Sequence, residues 1–288
     1  MDKTYPIDIY GVKNIGIEEW VNNYYAPLTG NDYQTIYENV FHAYTSTLKE
    51  TDDESVYWVA ISIIKLTHLI SRYIFDSLKL LKLKEAGYEY VIGRKKEKIV
   101  DYSSTIHDLA THNVFDVSTI QIGFQDRAKE LLKTIKHNFP GVINRKFYKN
   151  ISHPYVLIGN RSQKELVAFC DGNKIFPVQV FPLMFARNSL NNSMLSLLNS
   201  QAYRFVHDFL LLVEKQYPFV MGSAFEVLEE KVKECFVGSL SFFYNNVAFL
   251  KHFKLKSLLV TSIGTPIERL CCSAWRHAGG EVIGFSHG

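Results

Sequence analysis

The sequence predicts an α/β fold: a mostly parallel sheet with helices on both faces and a largely helical elaboration over residues 1–85. Three observations predict it. Segments with apolar residues at three- and four-residue steps alternate with short, continuously apolar runs, the pattern of helices covering buried parallel strands. The last alternation, over 256–288, reads as strand, helix and strand, with a separate local signal at each boundary. The composition, 47% hydrophobic and 21% charged over 288 residues, is that of a chain able to bury a sizeable core. No repeat or low-complexity linker divides it, so a single domain spanning 1–288 is expected.

The elements follow in order. Gly11, Gly16, Pro27 and Gly30 break up the first thirty residues, leaving room for a short helix at 17–25. Residues 33–48 have helical spacing, and 49–54 form a polar linker. One long helix is expected next, because Val56, Val59, Ala60, Ile63, Leu66, Ile70, Tyr73, Ile74, Leu78 and Leu81 share a face. Lys65, His68, Arg72, Asp76 and Lys79 interrupt that stretch too often for a membrane span. Gly87 is placed to cap it. Residues 88–93 and 154–159 read as strands, and 178–181 as a short one between Pro177 and Pro182. Helical periods cover 103–138, 193–214, 224–236 and 240–253.

The terminal unit is the most informative. Residues 257–261 are an apolar strand. Thr265 and Glu268 have the spacing of a capping box, and Pro266 occupies the first helical position, where its missing N–H costs nothing. Ile267, Leu270, Cys271, Ala274, Trp275 and Ala278 form one apolar stripe, which Gly279-Gly280 ends before a strand at 281–285. A crossover of this kind brings the carboxyl ends of both strands to one edge of the sheet, where ligands of open α/β sheets bind. Two segments meet there, Ser262-Ile263-Gly264-Thr265 and Ser286-His287-Gly288. The helix start favours phosphate or carboxylate. His287 can donate a hydrogen bond, carry charge or move a proton near neutral pH, and Gly288 lets the backbone turn closely.

Other features carry less. Lys and Arg number 32 against 29 Asp and Glu, a net charge of +3, too even for a nucleic-acid-binding face. Cys170, Cys235, Cys271 and Cys272 lack zinc-knuckle spacing and read as buried, reduced thiols. The N-terminus lacks the basic start and apolar core of a signal peptide. His107, His112 and Asp116 do not share one helical face, so no metal is expected. Trp20, Tyr24 and Tyr25 read as core, and Arg94-Lys95-Lys96 as a charged turn that would also suit a membrane surface. No Walker loop, GxGxxG fingerprint or GxSxG elbow occurs. Ser286 and His287, as neighbours without an orienting acid, do not make a hydrolase pair.

The run from Leu258 to Ser262, then Ala274-Trp275-Arg276-His277-Ala278-Gly279-Gly280-Glu281-Val282-Ile283-Gly284-Phe285-Ser286-His287-Gly288, resembles bacterial surface-polysaccharide glycosyltransferases of the two-domain GT-B type. Those end the corresponding strand in Gln-His-Gly, so Ser286 departs from the pattern. Tyr57-Trp58 with residues 69–76, and Tyr217-Pro218-Phe219-Val220, are similar to segments of the same group. The resemblance implies a Rossmann-like, N-terminal acceptor-side half of a GT-B fold, lacking its C-terminal donor-binding domain and inactive alone. It implies transfer of a sugar from a nucleotide-sugar donor to a surface polysaccharide or glycolipid, in the cytoplasm or peripherally at the inner face of the cell membrane, with no cofactor or metal. His287 would be the catalytic base, and Ser262, Gly264, Thr265, Arg269, Ser286 and Gly288 would contact substrate. Polyol-phosphate transfer by the same architecture and a non-catalytic glycan-binding or assembly module are the competing expectations.

Overall fold

The structure is a computed structural model that describes residues 4–5, 28–85, 90–92, 98–99, 155–158, 172, 178–179, 192–222, 224–253, 257–260 and 266–284. In chain order the elements are β1 (Thr4–Tyr5), α1 (Gly30–Lys49), α2 (Glu54–Ser62), α3 (Leu66–Glu85), β2 (Tyr90–Ile92), β3 (Lys98–Ile99), β4 (Tyr155–Ile158), β5 (Val178–Gln179), α4 (Asn192–Gln216), α5 (Pro218–Met221), α6 (Phe225–Phe253), β6 (Ser257–Val260), α7 (Pro266–His277) and β7 (Glu281–Gly284). The helices expected at 17–25 and 103–138, the cap at Gly87 and the turn at 94–96 lie outside the described residues.

The expected Rossmann-like α/β architecture, with the GT-B half it implied, is corrected by these elements. The described residues are overwhelmingly helical, and every strand is only two to four residues long. The physical reason lies in where the apolar faces go. Many of the stripes assigned to sheet-covering helices pack on other helices instead, so helix-on-helix contact supplies most of the core.

Contacts divide the chain into two compact units, each discontinuous in sequence. The first comprises Met1–Glu50, Lys65–Ser118 and Arg204–Glu234. Helix α1 begins with Thr29 as N-cap, whose Oγ1 accepts from the Asp32 amide at 3.4 Å while Asp32 Oδ2 accepts from the Thr29 amide at 2.7 Å. It buries Ile36, Val40, Ala43, Tyr44 and Thr47, one face at three- and four-residue spacing. That face meets α3 and α4. The Tyr37 ring stacks on His68 at 4.3 Å, Tyr33 meets Phe75 edge-on at 5.6 Å, and Tyr44 lies edge-on to Phe205 and Phe209 at 5.3 and 5.1 Å. The short α5 is held to α3 through Tyr73. Strand β1 pairs in parallel with β2, and β2 antiparallel with β3.

The second unit comprises Thr51–Ile64, Thr119–Tyr203 and Cys235–Gly288. Its strands lie in the order β5-β4-β6-β7, all pairs parallel. Strand β6 is buried along its whole length, and β7 is half-exposed at the edge. Helices α2 and α7 pack together.

Two helix boundaries differ from the sequence reading. The helix expected without a break from Val56 to Leu81 is divided at Ile63-Ile64-Lys65. Ser62 at that break turns its hydroxyl back onto the Trp58 carbonyl at 2.8 Å, a contact that competes with regular helix propagation. Conversely, the two helices expected at 224–236 and 240–253 are one, α6. Gly238 does not interrupt it, because Val232, Cys235, Phe236, Leu240, Phe243 and Val247 continue one buried stripe through the position.

Candidate functional site

The site expected from the sequence is built on β6, α7 and β7. Helix α7 opens with Pro266 and buries Leu270, Cys271, Ser273, Ala274 and Trp275. Its end is a Schellman motif: the Gly280 amide donates to the Trp275 carbonyl at 2.8 Å and the Gly279 amide to the Arg276 carbonyl at 3.0 Å. Gly279 has φ of +79°, the left-handed conformation this motif requires. Gly280 sits so close to Trp275 that a β-carbon there would stand 2.6 Å from the indole Cδ1.

Strand β7 then pairs with β6 in parallel, with Ser257 opposite Glu281 and Val260 opposite Gly284. The Ser257 hydroxyl donates to Glu281 Oε2 at 3.0 Å, which pins the start of this register. Because Val260 and Gly284 are partners, the segments 261–265 and 285–288 leave from the same edge of the sheet. Among the sequence-predicted site residues, Arg269 is described, part-buried in the first turn of α7. Ser262, Gly264, Thr265, Ser286, His287 and Gly288 lie outside the described residues, as do His107, His112, Asp116, Trp20, Tyr24 and Tyr25. Among the described residues no group of His, Cys, Asp or Glu is arranged to hold a metal ion.

The thiols on α7 are unsuited to nucleophilic chemistry. Burial pushes Cys271 well above the usual thiol range and Cys272 up to about 11, the nearby Arg276 only partly offsetting the latter. Cys235 on α6 is likewise pushed up by burial, to about 12.

A second polar cluster, at the carboxyl end of α7, was not among the site residues expected from the sequence, although Tyr57-Trp58 and His277 fall in the segments that carry the resemblance. Asp53 caps α2, its Oδ1 accepting from the Ser55 and Val56 amides at 2.9 and 3.1 Å, while Oδ2 accepts from the side-chain amide of Gln201. Glu54 Oε1 accepts from the Trp58 indole N–H at 3.2 Å. The same oxygen lies 3.3 Å from His277 Nδ1, an approach whose alignment falls short of a hydrogen bond. The Trp58 N–H, and after it His277, hold the Glu54 carboxyl below its usual range. The His277 ring rests against Phe243 at 5.3 Å. The legible signal was the spacing of Glu54, Tyr57 and Trp58, which puts an acid and two aromatics on one helical face.

The first unit holds two further titratable clusters. His207 Nδ1 lies 2.6 Å from Glu229 Oε1, joining α4 to α6. On α3, burial pushes Asp76 up to about 6 despite the Arg72 and Lys79 cations beside it.

No single described helix is long and apolar enough to cross a membrane. Comparison of the chain with protein-family models, with curated proteins and with solved structures finds no match.

Proposed function

We propose that this protein transfers a sugar from a nucleotide-sugar donor to a surface polysaccharide or glycolipid acceptor, using the edge beyond β6 and β7. The observation that carries the reading is the parallel pairing of Val260 with Gly284 around α7. The carboxyl ends of β6 and β7, which lead in sequence to Ser262–Thr265 and to Ser286-His287-Gly288, therefore lie at one edge of the sheet, and the twelve-residue α7 follows the first of them in sequence. Amides at a helix start suit the donor's diphosphate, and Arg269 in the first turn adds a positive charge. In the reaction an acceptor hydroxyl oxygen attacks the anomeric carbon, the bond from that carbon to the diphosphate oxygen breaks, and His287 takes the hydroxyl proton. The nucleoside diphosphate leaves with its added charge stabilised by the helix start and Arg269.

The test is nucleotide release from a panel of nucleotide sugars and CDP-polyols, with and without acceptor glycan. Acceptor-dependent release of a nucleoside diphosphate supports the reading, and His287→Ala is expected to lower it by about 10²–10⁴-fold. Release of CMP from a CDP-polyol would assign phosphoryl transfer instead. No turnover of any donor, or full turnover by the His287→Ala protein, removes this site from the chemistry.

A further inference from the structure

On helix α2, Glu54, Tyr57 and Trp58 share one face, Glu54 and Tyr57 exposed and Trp58 part-buried beside them, while Val56, Val59 and Ala60 face the core. The Glu54 side chain is 68% exposed and Tyr57 39% exposed. The Tyr57 and Trp58 rings meet edge to face at 5.9 Å, so each fixes the other's orientation. The carboxylate is held by the hydrogen bond from Trp58 Nε1 at 3.2 Å, with His277 Nδ1 lying 3.3 Å from the same oxygen. Both contacts use Oε1, which leaves Oε2 to accept from a ligand.

We infer that Glu54, Tyr57 and Trp58 form a binding platform for a neutral glycan. A pyranose ring has an apolar C–H face and a rim of hydroxyl donors. Oriented aromatic rings beside a pre-positioned acceptor match both features at little ordering cost. The sign of the charge narrows the class. Asp53 and Glu54 are adjacent in sequence, and the carboxylates would repel a phosphorylated, sulfated or uronic-acid chain.

This inference deepens the transferase reading and rests on it for the identity of the occupant, the acceptor. Helix α7 sets the geometry. Glu54 meets His277 at its last position, whereas the proposed transfer edge adjoins Pro266 at its first. Twelve residues of helix span roughly 18 Å. An acceptor that reaches both ends is therefore an extended oligosaccharide, held by its internal sugars on α2 while its growing end reaches the edge. A monosaccharide could occupy only one.

The experiment uses an immobilised array of neutral and anionic oligosaccharides, probed with the wild-type protein and with Tyr57→Ala and Glu54→Gln. Both substitutions fall on exposed side chains, and thermal melting establishes that each variant folds. The expected result is wild-type binding to neutral oligosaccharides, weakened at least about tenfold in each variant, with longer chains bound better than monosaccharides. Equal binding by wild type and both variants, binding to no neutral glycan, or preference for anionic chains overturns the platform. Donor release into water, measured without acceptor, separates the two ideas. Glycan binding without donor consumption sinks the transferase and spares the platform; donor consumption with no neutral glycan bound does the reverse.

Discussion

Tyr73 donates its hydroxyl to the carbonyl of Val220 at 3.0 Å, joining α3 to α5 across 147 positions of sequence. Both residues are fully buried, and burial raises the phenol well above its usual range, so the group stays a donor at every accessible pH. Tyr73→Phe keeps the ring and removes the bond, stranding a buried carbonyl. The expected loss is about 1–3 kcal/mol. A lower urea midpoint with an unchanged slope checks it, and an unaltered midpoint would mean that water replaces the bond.

Ser62 and Ser273 make the corresponding link in the other unit, their hydroxyls 2.9 Å apart between α2 and α7. Ser62 also reaches the Trp58 carbonyl at 2.8 Å, and a carbonyl can only accept. The single Ser62 proton is therefore committed there, which makes Ser273 the donor between the two serines. Ser62→Ala strands the Ser273 proton, while Ser273→Ala leaves Ser62 still bonded to its own helix. The first substitution is expected to cost more, about 1–2 kcal/mol against less than about 1. A double-mutant cycle measures their coupling, expected at about 0.5–1 kcal/mol. Equal single costs would remove the support for the assigned direction, and a larger cost for Ser273→Ala would reverse it.

How legible was this in the sequence? Elements whose limits depend on local chemistry were readable. The Gly279-Gly280 stop, Pro266 at the start of α7 and the apolar runs of β4 and β6 each act through a few adjacent residues. Apolar periodicity, by contrast, says that a face is buried but not against what. The stripes on α1 and α4 would serve equally against a sheet, yet Tyr44 of α1 lies on Phe205 and Phe209 of α4. That ambiguity is why the sequence predicts a layered α/β fold where the described residues are mostly helical. The break at Ile63-Ile64-Lys65 left no mark in the periodicity, since Ile63 and Leu66 are buried on either side of it. At the site, the common edge beyond β6 and β7 followed from the predicted strands. The Glu54–His277 contact joins residues far apart in sequence, and only packing of α2 on α7 brings them together.

Gly280 is expected to tolerate substitution worse than Gly279, although only Gly279 has a positive φ. Alanine at Gly279 meets open space, so its cost is backbone strain alone, about 1–2 kcal/mol. Alanine at Gly280 places its β-carbon 2.6 Å from Cδ1 of Trp275, whose ring is fully buried, so that any shift of it disturbs the core. Either the indole or the β7 backbone must shift, at about 1–3 kcal/mol or more. Red-shifted, weakened Trp emission from Gly280→Ala but not from Gly279→Ala would identify the indole as the group that gives way. Identical spectra and melting temperatures would contradict the packing.

Asp76 gives the first unit a defined response to pH. Its carboxyl is raised from 3.8 to about 6, chiefly by burial, against the opposing pull of Arg72 and Lys79. Arg72 is 3.7 Å away but half-exposed, so its attraction is screened and does not restore the usual value. The sign follows from proton counts. Between about pH 4 and 6 the folded state holds the Asp76 proton more tightly than the unfolded state does, so stability from this group declines as pH rises through that window. Above about pH 6 both states are ionised and the penalty is constant, on the order of a few kcal/mol. Asp76→Asn mimics the protonated form at every pH. It is expected to match wild type near pH 4, to become the more stable protein by pH 6, and to hold a steady advantage from pH 7 to 8. Urea midpoints for the two proteins across this range measure the difference. A gap independent of pH would show that Arg72 and Lys79 cancel the effect of burial, and a wild type that gains on Asp76→Asn as pH rises would show that they outweigh it and that the native carboxylate is stabilising.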